Sequence, residues 1–137
     1  MKPELFLIPA VFIVLVSGCT SGILTPERVL GMKDSLLGQR ISVIGAAGIS
    51  DIRCTLIECG EDNPCCNACG GSLLLEGNRE KILLYGEYEG ENVGCGGNEC
   101  ELTCYPLEIG KKYEVTGIWN KTRFEYYLEI ESFREIA

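Results

Sequence analysis

Hydrophobic and polar residues alternate with a period of two in several separated stretches, and that alternation predicts strands. Successive side chains of a strand point to opposite faces, so a period of two sends one set to a core and the other to water. Gln39 to Gly45 places Ile41 and Val43 on one face. Leu73–Leu75 and Ile82–Tyr85 are short apolar runs joined by Glu76-Gly77-Asn78-Arg79-Glu80, a hairpin connection. Tyr113, Val115 and Gly117 alternate and lead into Trp119, and Asn120-Lys121-Thr122 reads as a turn. Tyr126, Leu128 and Ile130 alternate again, while Phe133 falls out of phase and predicts a bulge. Ahead of these five strands the period changes. Thr25-Pro26-Glu27 supplies a capping hydroxyl, a proline at the first helical position and an acid near the positive helix end. With Val29, Leu30, Leu36 and Leu37 on one broad face and Gly38 as a stop, a short helix is expected from 26 to 37.

Two stretches break the pattern. Residues 51–71 hold five cysteines, Pro64 and several glycines, and read as a stapled loop rather than an extended strand. Residues 86–110 hold three more cysteines among glycines and read as a second irregular insert. The order is therefore helix, strand, Cys insert, strand, strand, Cys insert, strand, strand.

Three phrases carry a resemblance. Leu37-Gly38-Gln39-Arg40-Ile41-Ser42-Val43-Ile44-Gly45 looks like the opening strand of many OB-fold domains. Residues 110–119 (Gly-Lys-Lys-Tyr-Glu-Val-Thr-Gly-Ile-Trp) look like their fourth strand, and residues 127–133 (Tyr-Leu-Glu-Ile-Glu-Ser-Phe) like their last. The resemblance implies a mainly β domain: a five-stranded OB-like barrel with a short N-terminal helix and two Cys-rich inserts. In such a meander the first insert leaves strand one and the second leaves strand three, so both are expected at one end of the barrel.

The N-terminus has a different character. Leu5 to Val16 is an apolar run interrupted by Pro9, and it is shorter than the roughly 20 residues a membrane-spanning helix needs. Preceded by Lys2, it fits the apolar region of a secretory signal, although Glu4 is unusual there. Val16-Ser17-Gly18-Cys19 resembles the lipobox of prokaryotic lipoproteins. That resemblance implies a diacylglyceryl lipid on the Cys19 sulfur and cleavage before Cys19. It divides the chain into a signal peptide (1–18), a lipidated cysteine with a short linker (19–24) and an OB-like, disulfide-stapled domain (25–137). Two or more acyl chains give stable membrane anchoring. The implied location is the extracytoplasmic face of the cell envelope.

Composition removes several functions. The chain has 12 Lys+Arg against 20 Asp+Glu, a net charge of −8, and no histidine. An acidic surface repels phosphate backbones, so no nucleic-acid partner is expected. Without histidine, Ser-His-Asp and Cys-His catalysis are excluded. With Cys19 lipidated, an even set remains: Cys54, Cys59, Cys65, Cys66, Cys69, Cys95, Cys100 and Cys104. Outside the cytoplasm this density reads as a disulfide framework. Five of the eight lie in the first insert and three in the second, so complete pairing requires an odd number of bridges between them.

Cys66-Asn67-Ala68-Cys69 is a C-x-x-C, but it lacks the βαβ setting of a redox pair and sits in a crowded loop. The cysteine spacing offers only one such pair, against the two that zinc sites favour, so no metal site is expected. Glu58, Glu61, Asp62, Glu87, Glu89 and Glu91 lack the regular acidic loop of a calcium hand and read as a solvated rim. Tyr113, Trp119, Tyr126 and Tyr127 could form an aromatic binding platform, although aromatics at alternating strand positions more often pack a core. Asn120-Lys121-Thr122 is a glycosylation sequon in an organism that uses one. The sequence thus points to a non-enzymatic binding or scaffolding domain held at the membrane by lipid. It would have no cofactor beyond that lipid and a protein or glycan partner. A thiol-redox or metal-binding envelope protein is the alternative.

Overall fold

A computed structural model describes residues 22–137. The expected signal segment and Cys19 lie outside the described residues. The described chain is mainly β, built on one large mixed sheet. Its elements are β1 (Ile23–Leu24), α1 (Pro26–Gly31), β2 (Arg40–Cys54), β3 (Ala68–Glu76), β4 (Lys81–Tyr85), β5 (Glu87–Tyr88), β6 (Glu91–Asn92), β7 (Gly94–Asn98), β8 (Leu102–Tyr105), β9 (Lys112–Lys121) and β10 (Tyr126–Ile136). The sheet order is β1-β2-β9-β10-β4-β3-β7-β8, with β2 also paired to β3; β5 and β6 form a separate ribbon.

The five long strands follow the alternation. Ile41, Val43 and Ala47 of β2, Leu73 and Leu75 of β3, and Ile82 and Leu84 of β4 point into one core. Tyr113, Val115 and Trp119 of β9 and Leu128 and Ile130 of β10 complete it. Each fully buried Val or Leu contributes about 1.5–3 kcal/mol relative to exposure. The antiparallel pairs are β2–β3, β3–β4, β9–β10 and β2–β9, and β4 runs parallel to β10. Followed in turn, these pairings pass from β2 through β3, β4, β10 and β9 back to β2. The register of β10 on β9 shifts between Ile130 and Ser132, which is why Phe133 leaves the alternation. Gly117 sits beside that shift, where a Cβ would overlap the Glu129 carbonyl oxygen.

The helix is shorter than its apolar spacing suggests. It ends at Gly31, and turns carry the chain to Gly38, whose φ of +76° suits glycine. Asp34 and Ser35 compete with helical hydrogen bonding; Ser35 Oγ donates to the Met32 carbonyl at 2.9 Å. The turn is then tied down from the sheet, with Trp119 Nε1 donating to the Lys33 carbonyl at 2.9 Å. Within α1, Val29 is buried and Glu27 reaches the β3–β4 hairpin. Its Oε1 accepts from the Arg79 amide at 2.8 Å and the Glu80 amide at 3.2 Å. Those backbone donors, Arg79 first, hold its pKa down at about 2.

Three further differences come from backbone pairing. Residues 23–24, expected within the linker, form β1 and pair parallel with Ser42–Val43. The first insert is not wholly a loop, because β2 extends to Cys54 and β3 starts at Ala68, with Cys54 opposite Cys69. The second insert contains the β7–β8 hairpin, and β7 adds to the edge of β3. Side-chain patterns do not register such strands, since glycine and cysteine show no alternation while backbone groups pair without it. The two inserts therefore meet through β3 and β7, as the meander required.

Candidate functional site

All eight cysteines of the described chain are bridged: Cys54–Cys69, Cys59–Cys66, Cys65–Cys100 and Cys95–Cys104. One bridge crosses between the inserts, an odd number. In these bridges the cysteines offer no thiolate for redox or metal chemistry. Among the described residues no group of three or more acids or cysteines gathers as a metal site. The C-x-x-C residues Cys66 and Cys69 bond to different partners.

The four aromatics expected as a platform do not share a face. Trp119 is fully buried, and Tyr113 is in the core with its hydroxyl accepting from the Glu108 amide at 3.0 Å. Tyr126 stacks on Trp119 with ring centroids 5.8 Å apart and donates its hydroxyl to Asp34. That bond, with desolvation second, raises the Tyr126 pKa. Tyr127 lies on the opposite face of β10. The physical reason is parity: on β10, Leu128 and Ile130 face the core, so Tyr127 faces out. Asn120 is exposed at the end of β9, its side-chain oxygen accepting from the Lys121 amide at 2.8 Å.

Tyr127 does have an aromatic partner, one the sequence reading did not single out. Ile82 and Leu84 are buried, so Leu83 and Tyr85 point outward from β4. Parallel pairing sets Tyr127 beside Leu83, and the Tyr85 and Tyr127 rings meet edge to face with centroids 5.3 Å apart. They wall a groove of about 280 Å³ that also takes in Gly71, Ser72, Val93, Thr122 and Glu125. Tyr85 is 55% exposed. At one border the β9–β10 turn is held by Thr122, whose hydroxyl oxygen accepts from the Phe124 amide at 3.2 Å and the Glu125 amide at 3.1 Å. The turn presents Phe124, 86% exposed, with the Arg123 guanidinium 5.6 Å from its ring centre. The alternation in Lys-Ile-Leu-Leu-Tyr is the signal that could have revealed Tyr85.

A second surface lies at the tip of the first insert. Cys54 and Cys59 bracket Thr55-Leu56-Ile57-Glu58, and Thr55 to Gly60 runs without a turn. Asn67, buried to 7% exposure, organises this segment. Its Oδ1 accepts from the Ile57 amide at 2.7 Å and the Thr55 hydroxyl at 3.1 Å. Its Nδ2 donates to the Ile57 carbonyl at 3.1 Å and to Glu99 Oε2 at 3.1 Å. The Thr55 amide donates to the Ala68 carbonyl at 2.9 Å, and the Thr55 hydroxyl oxygen accepts from the Ala68 amide at 3.1 Å. Outward from this framework Leu56 is 99% exposed and Ile57 61%. The surroundings are acidic: residues 55–67 hold three acids, residues 86–105 hold five, and neither stretch has a Lys or Arg. The eight acids of these two stretches equal the whole net charge of −8, and the rest of the chain is balanced.

Fold and surface together define a mainly β, disulfide-stapled domain with an aromatic-walled groove and an exposed apolar tip. No family model matches this chain, and no curated protein or solved structure does either.

Proposed function

We propose that this chain is a lipid-anchored protein of the cell envelope whose extracytoplasmic domain, a five-stranded OB-like barrel, binds a glycan or protein partner without catalysing a reaction. Support for the barrel is the circuit of pairings among β2, β3, β4, β10 and β9, including the parallel β4–β10 pair. The observation that carries the binding role is the groove beside Tyr85 and Tyr127. OB-folds bind oligonucleotides and oligosaccharides on the face of strands two and three, between the loops that follow strands one and four. In this chain those strands are β3 and β4, and the loop after the fourth strand is the Thr122–Glu125 turn. The net charge of −8 disfavours the oligonucleotide, leaving an uncharged glycan as the better fit to two tyrosines, Ser72 and Thr122. The anchor rests on Val16-Ser17-Gly18-Cys19 and on four disulfides, which persist outside reducing compartments.

The test has two arms. Fatty-acid labelling in a prokaryotic host should mark the wild type and not Cys19→Ser; equal labelling of both would remove the anchor. Calorimetric titration of neutral envelope oligosaccharides should give binding that Tyr85→Ala weakens about fivefold or more, the loss expected of a contributing aromatic contact. Binding that is indifferent to both Tyr85→Ala and Tyr127→Ala would remove the groove.

A further inference from the structure

The Leu56 tip is independent of the groove and of the anchor. Leucine side chains in this fold are otherwise drawn largely into the core or its margin, yet Leu56 is held out in water with 99% exposure. A flexible loop would fold such a side chain back onto the surface. This one is restrained: disulfides start on both sides of it at Cys54 and Cys59, and buried Asn67 grips Ile57 through both its amide and its carbonyl. Leu56 itself makes no backbone hydrogen bond among the described residues, so its own N–H and C=O are left for an outside partner. A disulfide-bracketed, turn-free segment whose Leu56 backbone is unpaired and whose Leu56 side chain stands in water is the shape a protease cleft reads. The side chain enters the specificity pocket and the backbone pairs with the cleft wall.

We propose that residues 54–59 form an inhibitory loop for serine proteases with an apolar specificity pocket, with Leu56–Ile57 as the bond presented to the nucleophile. The chemistry is reversible. The protease serine oxygen adds to the Leu56 carbonyl carbon, the C–N bond to Ile57 breaks, and the protease histidine delivers the serine proton to the departing Ile57 amine. In an ordinary substrate that amine diffuses away and water hydrolyses the ester. Here the Cys59–Cys66 bridge and the Asn67 Nδ2 bond to the Ile57 carbonyl keep it in place. On the other side Cys54–Cys69 and the Thr55–Ala68 bonds hold the acyl half. The amine attacks the ester again, the peptide bond re-forms and the serine recovers its proton, so the protease stays occupied. Pre-organisation lowers the entropic cost of association, which is why rigid inhibitors bind tightly with little backbone movement. Glu58, Glu61 and Asp62 follow the bond, so a protease with a basic rim on that side is favoured, and association slows as salt rises.

Titrating the purified full chain against subtilisin, chymotrypsin and trypsin tests this. Subtilisin or chymotrypsin should be inhibited stoichiometrically and trypsin left active. Leu56→Lys, a change at a solvent-exposed position that the fold tolerates, should weaken the first inhibition about thirtyfold or more and create inhibition of trypsin. Asn67→Asp, which keeps the shape and removes the two N–H donors, should speed net cleavage at Leu56–Ile57, read by intact mass after reduction. Rapid complete cleavage of the wild type with the protease still active would overturn the proposal. So would the absence of any inhibition at micromolar concentration, or inhibition unchanged by Leu56→Lys.

Discussion

Replacing Asn67 with alanine isolates the energetics of the stapled tip. The amide side chain makes four strong bonds: to the Ile57 amide and carbonyl, the Thr55 hydroxyl and the Glu99 carboxylate, all between 2.7 and 3.1 Å. A fifth, to Cys59 Sγ at 3.4 Å, is weak. Each neutral bond contributes about 1 kcal/mol net, and the charged one up to about twice that. Ile57 and Glu99 lie near water and would rehydrate once freed, which removes part of this sum. The expected loss is about 2–3 kcal/mol, concentrated locally because the four disulfides and the apolar core stay intact. Denaturant unfolding with disulfides intact should show the lower midpoint. Amide hydrogen exchange should show the Ile57 amide losing its protection while Val115 and Leu128 keep theirs. A midpoint shift worth less than about 0.5 kcal/mol together with a still-protected Ile57 amide would refute the assignment of Asn67 as the organiser of this loop.

Glu27 predicts a pH dependence. Its folded pKa of about 2 lies below its ordinary value of 4.5. The folded state therefore binds fewer protons, and its contribution is full above pH 4.5 and is lost as pH falls towards 2. Thermal unfolding of Glu27→Gln should start lower at neutral pH and show a flatter decline below pH 4.5 than the wild type; parallel acid declines would contradict the contact with Arg79 and Glu80. Removing the crossing bridge with Cys65→Ser and Cys100→Ser together should cost about 2–4 kcal/mol and loosen the β7–β8 hairpin from β3. A variant equally stable by chemical unfolding would mean that the pairing of β3 with β7 holds the inserts without the bridge.

Much of the sheet framework was legible because burial on one face imposes a period of two. Ile41 and Val43, Tyr113 and Val115, and Leu128 and Ile130 announced their strands, and Phe133 announced the bulge. The helix was overextended because Leu36 and Leu37 do pack against the core, but from turns rather than from a helical face. β1, β7 and β8 were invisible for a related reason. They are short strands joined through backbone groups that every residue carries, and glycines leave no side-chain signature.

The candidate surfaces divide in the same way. Tyr85 points outward by simple alternation along β4, but its meeting with Tyr127 depends on which strand lies parallel beside β4. Nothing between residues 85 and 127 specifies that neighbour.

By itself the sequence determined the mainly β class, the clustered acidity, the exclusion of histidine chemistry and the odd parity of the bridges between inserts. Those follow from local periodicity and from counting, which need no coordinates. Only the tertiary structure decided which cysteines pair, that Trp119 is core while Tyr85 lines a groove, and that Asn67 grips the loop displaying Leu56. Each of these depends on contacts between residues distant along the chain or across a closed loop, and such contacts are set by packing and register rather than by neighbouring residues.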